Sequence, residues 1–182
     1  MGRCAVFIDG GYLAKYLKQL GEPRVDLYKL ALKLARGNEV VRTYYYNCMP
    51  YQSSPPTEDE RRRMSRMRRF VHSLQQNPRF EVRLGRLKKT YDVDGREVFV
   101  QKGVDVLLAV DLVRMSSTRQ IEYAYLLTGD SDLVPAIQAA KEQGVVVALY
   151  YKTGTAHDEL LQTVDESYML LRDFFDDCML GA

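Results

Sequence analysis

Phe7-Ile8-Asp9-Gly10-Gly11 closes an apolar run that begins at Cys4. The run has the length and uniform hydrophobicity of a strand buried on both faces, yet it ends on an acid. Burying a carboxylate costs heavily unless something pairs with it. The pattern recurs at Tyr123 to Leu127, an apolar run followed by Thr128-Gly129-Asp130-Ser131-Asp132. A third stretch, Lys102-Gly103-Val104-Asp105, runs on to Asp111. Two like charges about 4 Å apart repel by roughly 4 kcal/mol at a surface-like effective dielectric. Gathering several acids at the ends of buried strands therefore makes sense chiefly around a divalent cation.

Outward from these stretches, strands alternate with helices. Gly10-Gly11 permits a tight turn into a helix over about 12–20, and Asp26 is a cap for a second helix that stops at Gly37. Val40 to Asn47 is rich in β-branched and aromatic residues and reads as a strand. A Pro/Ser loop precedes a long helix over about 58–76, with Met64, Met67, Phe70, Val71 and Leu74 as its apolar stripe. Phe80 to Lys88 alternates as a further strand, and Asp94-Gly95 between two short runs is a hairpin signal. A helix over about 104–115, the strand 123–127, a helix over 133–143 and a strand over 145–150 follow. The tail, about 156–179, reads as mostly helical. This order predicts an α/β fold with a mostly parallel sheet covered on both faces and a small β-hairpin insertion, in one domain over 1–182.

In such sheets, sites lie beyond the carboxyl ends of the strands at the topological switch point. Asp9 and Asp130 fall at two such ends, Asp132 is placed to cap the next helix, and Asp105 lies in a helix first turn where the macrodipole tolerates an anion. These four are placed to converge. Asp111 follows Asp105 by six residues, about 240° of rotation and ~9 Å of rise, so it is either an outer support of the site or an ordinary helix acid. Thr128 and Ser131 are placed to bond a carboxylate, although small polar residues are ordinary in such turns.

The 182 residues include 46% apolar and 27% charged residues, which is ordinary for a globular domain. No apolar stretch reaches the length of a bilayer span, so no membrane partner is expected. Cys4, Cys48 and Cys178 are too scattered for a disulfide framework or a zinc ribbon and suggest reduced thiols in a cytoplasmic setting. With only His72 and His157 present, the ligands on offer are oxygens, which suit Mg²⁺ or Mn²⁺. The net charge is only +2, but eleven of the twenty-six basic residues lie between Arg61 and Lys89. A basic face within a near-neutral chain suggests a polyanionic partner.

Val6-Phe-Ile-Asp-Gly-Gly, Lys102-Gly-Val-Asp-Val-Leu-Leu-Ala-Val-Asp and Leu127-Thr-Gly-Asp-Ser-Asp-Leu together resemble the NYN family, in its LabA-like branch of the PIN-like nuclease superfamily. Each motif is weak singly; their order and spacing cover almost the whole chain. The resemblance implies a Rossmann-like, PIN-type three-layer αβα sandwich whose clustered acids bind Mg²⁺ or Mn²⁺ and cut RNA. By position, Asp9, Asp105, Asp130 and Asp132 become the catalytic and metal-site acids. One position departs from the family: Tyr12 stands where members commonly carry Asn.

Each feature also has a plainer reading. Asp130 and Asp132 suit a turn and an N-cap, and Asp9 and Asp105 suit helix starts; capping explains any one of them but not four at one sheet edge. Arg62, Arg66 and Arg69 share a helix face with no acid among them and are expected to meet RNA phosphates. Against that, Glu58, Asp59 and Glu60 can pair with neighbouring arginines to give a solvated face. Lys102, beside the acids, is placed to touch a phosphate or simply water. Tyr44-Tyr45-Tyr46 offers a stacking platform or core packing, and His157 either lines the site or sits in a loop. Rival chemistries lack their residues. A haloacid-dehalogenase-type phosphotransferase needs Asp or Thr where Gly11 stands. A receiver-type phosphoacceptor needs an acid where Lys88 and Lys89 stand, a Toprim-type nuclease a glutamate at the first strand, and a dinucleotide enzyme Gly-x-Gly-x-x-Gly. The surviving alternative to a metal-dependent ribonuclease is a non-catalytic or weakly active RNA-binding module of the same fold. The oligomeric state is left open.

Overall fold

The computed structural model describes residues 1–180. The chain runs β1 (Arg3–Asp9), α1 (Gly10–Gln19), α2 (Leu27–Leu34), β2 (Glu39–Cys48), α3 (Glu58–Gln75), β3 (Phe80–Tyr91) and β4 (Glu97–Lys102). It continues through α4 (Val104–Ser117), β5 (Tyr123–Leu127), α5 (Val134–Glu142), β6 (Val146–Tyr151), α6 (Asp158–Thr163) and β7 (Glu166–Met169). Short 3₁₀ turns cover Ser131–Leu133 and Arg172–Cys178.

All seven strands form one sheet in the order β4-β3-β2-β1-β5-β6-β7. Every pair is parallel except β3–β4. β1 lies at the centre, flanked by β2 and β5, which is why it must be apolar on both faces. Its residues alternate between two cores. Ala5 and Phe7 pack with α4, α5 and α6 on one face, and Cys4, Val6 and Ile8 pack with α1 and α2 on the other. The three tyrosines of β2 divide in the same way: Tyr44 and Tyr46 join the first core and Tyr45 the second. All three are buried, so the stacking platform is ruled out in favour of core packing.

The hairpin at Asp94-Gly95 forms: β4 pairs antiparallel with the end of a long β3 and makes the sheet edge. Two expectations need correcting. The tail is helical only in part. After the single short helix α6 it adds β7 parallel to β6, then the 3₁₀ turn. Leu170, Phe175 and Cys178 bury themselves in the second core, and an unpaired strand edge next to them outweighs local helix preference. The apolar stripe of α3 is buried only at Leu74; Met64, Met67 and Val71 are half-buried and Phe70 is exposed beside Tyr45. α3 starts firmly, with a reciprocal capping box between Thr57 and Glu60, but it lies on the sheet by its last turns.

From β1 the strand order runs outward through β2, β3 and β4 on one side and through β5, β6 and β7 on the other, and β1 and β5 feed helices to opposite faces. Asp9 and Asp130 therefore stand at the switch point of the sheet.

Candidate active site

A cavity of about 480 Å³ opens at the carboxyl ends of β1 and β5, bordered by Asp9, Asp105 and Asp130. Each acid comes from a different element, so their meeting is a product of the fold. Asp9 ends β1 and caps α1, its Oδ1 accepting from the Tyr12 N–H at 2.9 Å. The helix can begin this close to β2 only because residue 10 is glycine: a Cβ there would lie 2.7 Å from the Tyr46 carbonyl oxygen. Asp9 Oδ2 faces the hydroxyl of fully buried Thr128 at 3.4 Å. That same hydroxyl accepts from the Asp130 N–H at 3.2 Å, so one threonine ties the two strand ends together. Asp105 sits in the first turn of α4 and caps nothing.

Asp130, rather than Asp132, is the capping residue after β5. Its Oδ1 accepts from the Asp132 N–H at 2.9 Å at the start of the 3₁₀ turn that precedes α5. Asp132 is exposed and borders the cavity no longer, because that extra turn carries it outward. Ser131 is likewise absent from the cavity wall.

Two of the acids are held above the usual carboxylate range. Burial raises the Asp9 carboxyl; the Tyr12 and Gly11 N–H groups partly offset this and Asp130 adds to it. Burial also raises Asp105, followed by the charges of Asp130, Asp9 and Asp132. Among the described residues none of the three cavity acids is ion-paired with a basic side chain. An all-oxygen, mutually repelling, unpaired set is the donor chemistry of a hard divalent cation, and in that respect the residues fit Mg²⁺ or Mn²⁺. No group of three or more His, Cys, Asp or Glu among the described residues is drawn together closely enough to hold a metal ion.

Tyr12 shapes the wall opposite. Its hydroxyl accepts from the Lys152 N–H at 2.8 Å and lies 2.5 Å from Thr155 Oγ1, joining α1 to the loop after β6. Its ring lies so close to Gly129 that a Cβ there would stand 2.6 Å from Tyr12 Cε2. Lys15, Tyr16, Gln19 and Lys152 continue this wall. Sequence reading missed them, although positions 12, 15, 16 and 19 share one face of α1 by the i, i+3, i+4 rule. Lys102 is displaced from the wall by its neighbour Gln101, which points inward from β4. His157 stands exposed at the start of α6, and Thr155 takes its place in the lining.

Asp111 belongs elsewhere. It is buried under β2, where Arg114 donates to Oδ1 at 2.7 Å and Arg83 Nε to Oδ2 at 3.1 Å. The Tyr46 hydroxyl also donates to Oδ2, at 3.1 Å. It supports the core rather than the cavity. Arg83 is thereby removed from the basic face. In α3, Arg62 pairs with Glu58, whereas Arg66 and Arg69 are exposed without an ion pair among the described residues. No residue of α3 borders the cavity.

A family model described as NYN domain matches residues 3–171. A crystal structure of a Vibrio parahaemolyticus protein of unknown function superimposes with a TM-score of 0.66 at 17% identity. The match covers 98% of this chain and 96% of that one, a likeness of fold. No curated protein matches the chain.

Proposed function

Because the chain belongs to the NYN domain family, part of the PIN-like nuclease superfamily, we propose that it is a metal-dependent ribonuclease hydrolysing RNA phosphodiester bonds. Its three motifs favour the LabA-like branch of that family. The observation that carries the reading is the meeting of Asp9, Asp105 and Asp130, from three elements, around one cavity without a counter-charge among the described residues.

Asp9, Asp105 and Asp130 are the residues that would hold Mg²⁺ or Mn²⁺, with exposed Asp132 contributing its charge from outside. When bound, such a cation polarises the phosphodiester and lowers the pKa of the attacking water. The chain supplies the positioning. Thr128 fixes the separation of the β1 and β5 ends, and Asp9 and Asp130 are held by backbone N–H groups in set orientations. Burial and neighbouring charge raise the Asp9 and Asp105 carboxyls, and a cation among them would favour their ionised forms.

A second reading, RNA binding with little or no cleavage, is favoured by one observation. The Tyr12 ring is packed on Gly129 and its hydroxyl is spent on Lys152 and Thr155, so the side chain offers no free amide or hydroxyl to the acids.

Incubating labelled single-stranded and structured RNA with Mg²⁺ or Mn²⁺ separates the readings. Cleavage is expected from the wild type, and its loss with EDTA or in Asp130→Asn. Binding without cleavage would establish the second reading, and cleavage surviving both treatments would exclude this cavity.

A further inference from the structure

The ribonuclease reading uses the acid wall of the cavity and leaves the opposite wall unexplained. That wall carries two cations, Lys15 from α1 and Lys152 from the residue just after β6. Neither is ion-paired with a carboxylate among the described residues, even though this cavity holds three. Lys152 is also placed with care. Its N–H is bound to the Tyr12 hydroxyl, its ammonium donates to Gln19 Oε1, and it stands 5.8 Å from the centroid of the Tyr16 ring. An ammonium has three donors, and the amide of Gln19 takes one. Two remain for something else.

We propose that Lys15 and Lys152 form a phosphate subsite that holds the phosphate neighbouring the one cleaved. The inference rests on the ribonuclease reading for the identity of the chain that carries the phosphate. The cavity lies within the size range of sites that enclose a small ligand, larger than one phosphate needs. A nucleotide can therefore lie across it, one phosphate toward the acids and the next toward the lysines. The separation of charge sets direction. The carboxylate wall repels phosphate unless a divalent cation intervenes, whereas the lysine wall attracts it at once. RNA would dock by the lysine end first, and that binding step needs no metal. Tyr12 holds both walls in place through its contacts with Gly129 and Lys152, which gives the tyrosine a positioning role.

The test is equilibrium binding in EDTA, where cleavage is silent, by fluorescence anisotropy of a short single-stranded RNA over a range of salt. Wild type is compared with Lys15→Gln/Lys152→Gln, and Lys18→Gln serves as a control on the same helix outside the cavity wall. Matching thermal melts establish that the variants are folded. The double variant is expected to bind roughly tenfold or more weakly, on the scale of charge-assisted hydrogen bonds. Its log-affinity against log-salt slope should be shallower by about 1.4, two contacts at ~0.7 each. Running 5′-phosphorylated and 5′-hydroxyl RNA side by side identifies the source. A preference for the 5′-phosphate that vanishes in the double variant means a terminal phosphate, and an equal loss for both RNAs means an internal one. Inorganic pyrophosphate is the second probe. If it binds wild type but not the double variant while RNA binds neither, the subsite stands and the RNA reading fails. Affinity and slope unchanged in the double variant, or changed equally by Lys18→Gln, overturn the subsite.

Discussion

Helix α4 carries two aspartates six residues apart whose surroundings are opposites. Asp111 is buried with two arginines and a tyrosine donating to its oxygens. Asp105 looks onto Asp130 and Asp9, with no basic partner among the described residues. A structural carboxylate arrives with its counter-charges supplied by the chain; the Asp105 group has none among the described residues. The Tyr46 phenol, pushed well above its usual range by burial and by Asp111, keeps the proton it donates to that network.

The strongest way to break this contrast is to exchange the two roles. Asp105→Asn should reduce RNA cleavage by at least about 100-fold, equivalent to about 2.7 kcal/mol of barrier. It should leave the fold within about 1 kcal/mol of wild type, the scale of a helix first-turn charge. Asp111→Asn should do the reverse. It leaves Arg83 and Arg114 without their carboxylate and should cost roughly 3 kcal/mol in denaturant melts, the low end for a broken buried pair because both arginines are partly exposed. Loss of activity in Asp111→Asn beyond its unfolded fraction would mean that the two acids are coupled.

A smaller effect concerns pH. The Asp9 and Asp105 carboxyls are raised above 3.8, so the native state holds their protons more tightly than the unfolded chain. Their contribution to stability is present in full below that value and is lost as pH rises through the raised folded values. In EDTA the melting temperature should therefore decline across that window. At neutral pH, Mg²⁺ or Mn²⁺ should restore it. Asp105→Asn should flatten both responses. A wild-type melt indifferent to both pH and cation would remove the distinction between the two acids.

The smallest effect lies on the exposed helix α3. Changing Arg62, Arg66 and Arg69 to Ala should flatten the salt dependence of RNA binding by up to about 2, using ~0.7 per phosphate contact. Arg62 is already paired with Glu58, so the expected change lies nearer the contribution of Arg66 and Arg69 alone. An unchanged slope would make α3 a solvated face and leave the cavity as the sole RNA contact tested.

Much of this molecule was legible from residue order because much of it is decided locally. Apolar runs at 4–8 and 123–127 become the adjacent strands β1 and β5, since a strand covered on both faces must be hydrophobic throughout. Asp9 and Asp130, as the polar residues that end those runs, could be placed at the switch point without coordinates. Gly10 was recognisable as a turn, though the close approach of Tyr46 that requires it was not.

What the linear order could not hold is which distant side chains meet. Asp111 sits in the same motif as Asp105, and only the packing of α4 beneath β2 and β3 brings Arg83 to it. The displacement of Asp132 by one 3₁₀ turn, and the exchange of Lys102 for Gln101, follow from single-residue register. β7 forms because β6 presents an open edge that a weak local signal cannot reveal. Lys152 reaches the acids' cavity through Tyr12, a residue 140 positions away in the chain. Sequence by itself thus determined the strands, the central sheet and the acids at its carboxyl edge, because burial and backbone geometry act residue by residue. Tertiary structure alone decided which acids received counter-charges, because an ion pair depends on where two side chains end in space.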